Sequence, residues 1–182
     1  MASRAWFVPL LLTLGVLAST AGTAEARRGR RSFGGSQYHA NGTFGLGLEL
    51  GAPSGLNAKY FLSDTTALNF GIGADGYGYG YRDGVSFYLD YLWHPVLLAS
   101  TPAFQLPLYV GIGGRLWSFN DNRYNDDGLA LGVRVPVGID LDLNNVPLDF
   151  YLQLTFVLDF YQHYRDNLHG GLEGSVGFRF WF

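Results

Sequence analysis

The chain of 182 residues contains no cysteine and a single lysine, Lys59. Without thiols there can be no disulfide framework, no thiolate metal site and no cysteine nucleophile, so stability must come from the fold itself. Charged residues make up only 15% of the chain, which is poor cover for the surface of a soluble domain. Beyond the N-terminus no apolar run is long enough for a membrane helix, which needs about 20 residues, and no segment reads as an amphipathic helix. No glycine loop precedes a helix to cradle phosphate, and the only basic run lies in the leader, so nucleic-acid binding has no support. Glycine (26 residues) and aromatics (16%) are abundant instead, and they recur at a regular spacing.

Met1 to Ala26 reads as a secretory signal, with Arg4 as a short basic start, an apolar stretch from Phe7 to Leu17, and Ala24-Glu25-Ala26 as the cleavage site. The apolar stretch is too short to span a bilayer and contains Pro9. Residues 27–42 follow as a flexible basic leader carrying Arg27, Arg28, Arg30 and Arg31, without the periodicity of a strand or helix. Residues 43–182 have the length of one domain.

In that domain, apolar residues alternate with small or polar ones in eight segments bounded by turn residues. The first sets Phe44, Leu46, Leu48 and Leu50 against Gly45, Gly47 and Glu49. The second sets Leu56, Ala58, Tyr60 and Leu62 against Asn57 and Lys59, and the third is marked by Leu68, Phe70, Ile72 and Ala74. The fourth, Val85 to Trp93, is expected to end near Pro95. The fifth alternates Leu108, Val110 and Ile112 with Tyr109, Gly111, Gly113 and Arg115. The sixth and seventh are the most regular, running from Leu129 to Leu141 and from Leu148 to Phe160. The eighth ends Phe178-Arg179-Phe180-Trp181-Phe182.

Segments of about ten residues with a two-residue period are what a membrane-spanning barrel requires. A soluble eight-stranded barrel would show the same alternation with its apolar face inward. Two observations decide between them. The second face carries glycine, tyrosine, asparagine and isolated charges rather than many lysines and glutamates. Eight apolar rows of Leu, Phe, Trp and Val would also overfill so narrow an interior. The expected fold is therefore all-β, an eight-stranded antiparallel up-and-down transmembrane β-barrel with its apolar rows on lipid. With the leader periplasmic, three of the four outer connections are long and polar. The outward aromatics Phe44, Tyr60, Tyr91, Trp93, Phe150, Phe180 and Phe182 then gather at the periplasmic strand ends as a girdle.

On these residues the stretch from Thr43 to Phe182 resembles the small eight-stranded bacterial outer-membrane barrels, the class containing the OmpA membrane domain and OmpX. The resemblance implies an outer-membrane location. It also implies that the terminal aromatic strand, closing on Phe182, is read by the outer-membrane assembly machinery. It carries little about activity.

The inward parity collects Glu49, Lys59, Asp90, Arg115, Arg134, Asp140, Asp142, Asp159, Glu173 and Arg179, with Tyr88, Tyr109, Tyr151 and Gln153 among them. Isolated charges in a narrow interior are costly unless paired. Lys59 is therefore expected to meet Glu49 across the first hairpin, and the arginines to bridge acids on other strands, leaving a plugged polar interior and a structural or surface-binding role. No cofactor or metal is implied. Two alternatives stay open. A narrow channel would need a wet path past Arg115 and Arg134. A lipid-modifying enzyme would need a nucleophile beside a base, and its candidates are Ser86 and Ser175 with His94, His163 and His169. Tyr77, Tyr79 and Tyr81 lie in an outer connection where flat amphipathic rings suit contact with an extracellular ligand.

Overall fold

The computed structural model describes residues 38–76, 82–121, 126–161 and 168–182, all within one compact unit, Ser32–Phe182. The expected signal sequence, the leader up to Gln37, the loop tyrosines Tyr77, Tyr79 and Tyr81, and His163 lie outside the described residues.

Eight strands follow in order: β1 (Phe44–Gly51), β2 (Ser54–Ser63), β3 (Thr66–Gly76), β4 (Arg82–Ser100), β5 (Phe104–Asp121), β6 (Asp126–Leu143), β7 (Leu148–Tyr161) and β8 (Leu168–Trp181). Each pairs antiparallel with its sequence neighbours, and β8 returns to β1, closing the barrel. The fold expected from the alternation is the fold found.

The strands form because their two faces have different solvents. Along β7, Leu152, Leu154 and Phe156 are 51%, 54% and 52% exposed, whereas Tyr151, Gln153 and Thr155 between them are buried. The same parity holds around the wall: most large apolar residues look outward, and charged and amide groups look in. That is the reverse of a water-soluble domain, in which buried positions are mostly apolar.

Closure requires stagger. Following nearest partners from Gly45 through Lys59, Asn69, Asp90, Gly113, Arg134 and Val157 arrives at Gly171. Gly45 itself pairs with Trp181, so the register slips by ten residues, from 171 to 181, in one circuit. Such a slip tilts the strands by about 35–45° to the barrel axis.

One boundary differs from expectation. β4 does not stop near Pro95 but runs on to Ser100. Trp93 pairs with Val110 and Val96 with Leu108, so three steps on β4 match two on β5. Pro95 sits in that bulge, where a missing N–H costs no ladder bond.

Candidate functional site: the polar lumen

The interior is built in tiers. At the end where β1 begins and β8 finishes, Phe61, Ala67, Leu92, Tyr109 and Trp181 form an apolar cluster with Tyr38. The strand parity already turned Phe61, Leu92 and Trp181 inward, but Tyr38 precedes the alternating region and carried no such signal. In the stretch expected to be a flexible leader up to Gly42, Tyr38 is buried, His39 is exposed, and Ala40, Asn41 and Gly42 are half-buried. The Tyr38 ring stacks on His94 with centroids 5.3 Å apart, and its hydroxyl donates to Asp142. Burial first, then the negative charges of Asp142 and Asp140, push the phenol well above its usual pKa, which keeps the hydroxyl a donor.

The next tier is ionic. Lys59 donates to Asp140 at 2.5 Å, with its ammonium 5.0 Å from the ring centres of both Phe61 and Tyr109. Arg179 donates through Nη2 to Asp140 at 2.6 Å and through Nε to Asp149 at 3.0 Å, and its guanidinium lies 4.3 Å over the Tyr151 ring. His94 Nε2 is 3.5 Å from Asp140. The expected Lys59–Glu49 pair is absent from this arrangement, for a reason of register. Lys59 is opposite Gly45, and Glu49 is opposite Gly55. Four residues of strand, about 13 Å, separate the two levels.

Glu49 belongs instead to a middle tier of hydrogen bonds. It accepts from Tyr88 and from Asn57 at 3.3 Å. The Asn57 amide also donates to Asn69 at 3.0 Å and to Tyr88 at 2.6 Å. Tyr109 donates to Gln153 at 3.0 Å, and Gln153 donates on to Thr155 at 3.0 Å. Toward the far end, Arg115 bridges two strands. Its Nε donates to Asp159 at 2.8 Å, its Nη2 donates to the same carboxylate, and its Nη1 reaches Glu173 at 2.5 Å. This bidentate fork is the geometry in which a buried guanidinium is best satisfied.

Arg134 is held less well. Its Nε lies 3.4 Å from Asp90 and its guanidinium 3.9 Å over the Tyr88 ring. Among the described residues, neither Arg134 nor Asp90 has a hydrogen-bond partner for its buried nitrogens or oxygens. Ser86, one of the two serines of the enzyme alternative, also lacks one among the described residues. It stands eight residues from His94 on the same strand, about 26 Å along it.

The residues expected inward, Glu49, Lys59, Asp90, Arg115, Arg134, Asp159, Glu173 and Arg179, are all buried in the lumen. Sequence reasoning left Tyr38, Asp149 and Asn69 out of that set. Asp149 and Asn69 share the inward parity, which was the signal available. Outside, Tyr60, Tyr91, Trp93, Phe150 and Phe180 are exposed, and Phe44 stacks on Phe182 at 6.3 Å. Among the described residues no group of acids and histidines has the arrangement of a metal site.

The class defined by this geometry is the small closed eight-stranded antiparallel barrel with an apolar outside and a charged inside. The chain is similar to the N-terminal β-barrel domain of Pseudomonas aeruginosa OprF, with a TM-score of 0.51 and 16% identity over 75% of this chain and 93% of that one. Ail, the attachment invasion locus protein of Yersinia pestis, is similar with a TM-score of 0.33 and 14% identity, again over 75% of this chain and 93% of that one. No protein-family model and no curated protein matches the sequence. The likeness is one of fold, and the functional reading rests on this chain's own residues.

Proposed function

We propose that the protein is an integral barrel of the bacterial outer membrane whose interior is closed by its own ion pairs and rings, with a structural or surface-binding role. The observation that carries the reading is the inversion of polarity. Rows of Leu, Val and Phe stand exposed on the outside, while four arginine and lysine side chains, at most 2% exposed, are held inside among carboxylates. Lipid is the solvent that makes such an outside stable, because an apolar band of this kind in water would be an aggregation surface. The end with the termini is periplasmic in this reading, and Phe44, Tyr60, Tyr91, Trp93, Phe150 and Phe180 mark the headgroup level there. Phe182 directly follows β8, the strand offered to the assembly machinery. Tyr77, Tyr79 and Tyr81 lie in an outer connection available to an extracellular ligand.

Expression of the full chain in a Gram-negative host, followed by membrane fractionation and planar-bilayer recording of the purified protein, tests both halves. Recovery from the outer membrane and the absence of steady single-channel current are expected. Recovery as a soluble protein would remove the membrane assignment. A steady conductance would remove the closed interior and leave the channel reading in its place.

A further inference from the structure

The mouth of the barrel nearest the termini is crossed by a segment that does not belong to the wall. Residues 38–42 lead into β1, whose wall neighbours are β2 and β8. Their contacts nevertheless reach the opposite wall. Asn41 donates to the Leu143 carbonyl on β6 at 2.7 Å, and Gln105 on β5 donates to the His39 carbonyl at 3.3 Å. Immediately before these tethers the Tyr38 ring drops into the lumen and is 0% exposed. It stacks on His94 of β4 and lies 5.8 Å from the Phe61 ring of β2. Its hydroxyl meets Asp142 of β6. A tyrosine suits this place: the ring fills the apolar cluster, and the hydroxyl satisfies a carboxylate of the ionic tier behind it.

We propose that Tyr38 is a stopper: the N-terminal segment straps across the periplasmic mouth, and its ring keeps water and solutes from the Asp142, Asp140, Lys59 and His94 tier. The proposal rests on the reading of the protein as an outer-membrane barrel with a closed interior, and it assigns the closure of one end to a single side chain outside the strands.

The absence of cysteine makes the test direct. Ala67 is fully buried in the same cluster as Tyr38, and Ser86 is fully buried toward the far end. Ala67→Cys and Ser86→Cys are each placed in the full chain, refolded into vesicles, and treated with a membrane-impermeant maleimide applied to the face carrying the N-terminus. Heat-modifiable gel mobility reports folding. With Tyr38 present, the thiol at position 67 should react slowly. With Tyr38→Ala, or with Tyr38→Ser as a second truncation, it should react about tenfold faster or more. Tyr38→Phe, which keeps the ring, should preserve most of the protection. Equal rates at position 67 with and without the ring, whether fast or slow, would overturn the stopper. Fast labelling at position 86 with Tyr38 present would instead overturn the closed interior, and the two failures are thereby told apart.

Discussion

Inside this barrel the glycines are placed by the large groups beside them. Tyr88, Tyr109, Tyr151 and Trp181 each pair directly across strands with a glycine: Gly71, Gly138, Gly177 and Gly45. A Cβ on Gly138 would lie 2.4 Å from the Tyr109 hydroxyl and 2.6 Å from the Leu152 carbonyl, so the ring can lie flat on the wall only because that strand has no side chain there. Gly138→Ala should therefore destabilise the barrel by about 1–3 kcal/mol. Gly114→Ala, whose Cβ meets nothing nearer than 3.6 Å, should change stability by less than about 0.5 kcal/mol. Urea unfolding in vesicles, followed by tryptophan fluorescence, measures both. The charged pairs divide in the same way. Arg115→Met leaves Asp159 and Glu173 buried without their cation and should cost about 3–5 kcal/mol. The poorly satisfied Asp90–Arg134 pair should be replaceable by Asp90→Leu with Arg134→Met at no loss, or with a gain of about 1–4 kcal/mol. A loss of more than about 1 kcal/mol from the double replacement would show that the Asp90–Arg134 pair stabilises the barrel despite its 3.4 Å separation. Which strand residues face inward was legible from parity, whereas Tyr38, which precedes the strands, was not. The partners of the inward strand residues were not legible either, because Lys59 and Glu49 look adjacent in a hairpin until the register separates them and the curvature of the wall brings Asp140 to the ammonium instead.

At the scale of a strand, the pattern carries the element but not its ends. β6 and β7 are read almost whole because their alternation is unbroken from Leu129 to Leu141 and from Leu148 to Phe160. β4 is cut short in such a reading, since proline normally ends a strand. Only the bulge, a feature of pairing with β5, lets the chain pass Pro95 and still return Val96 to the outer face. The same pairing logic fixes what a strand tolerates. Leu154 stands at the middle of the outward row of β7 and Phe150 near its end. Leu154→Arg should cost about 2–4 kcal/mol in a bilayer and Phe150→Arg about 0–1 kcal/mol, because a cation near the headgroups can reach water and one at the centre cannot. Equal penalties at the two positions, measured by reversible unfolding from vesicles, would mean that the row does not span the hydrocarbon layer.

At the scale of the molecule the barrel depends on one contact that no local pattern encodes, the return of β8 to β1. Those strands lie at opposite ends of the domain, so their pairing carries the largest sequence separation in the wall and the greatest loop-closure cost in folding. The eight alternating segments and their even number predict such a closure. The ten-residue slip that sets the tilt and the lumen width is a property of the circuit and had no counterpart in any segment. Among the described glycines, the one with least room for a side chain lies at this seam. A Cβ on Gly47 would fall 1.7 Å from the Phe178 carbonyl, which only a backbone shift could relieve. Gly47→Val should therefore leave the chain able to insert strands but unable to close, with loss of the compact, heat-modifiable form on gels. Gly170→Val, on β8 above the seam with nothing within 3.7 Å of the added Cβ, should close normally. If both variants close alike, the tight β1–β8 contact at Gly47 is not what the circuit requires. If Gly47→Val alone stays open, one glycine at the seam limits an assembly that seven other strand pairings favour, because a barrel that is not shut leaves two unpaired edges in lipid.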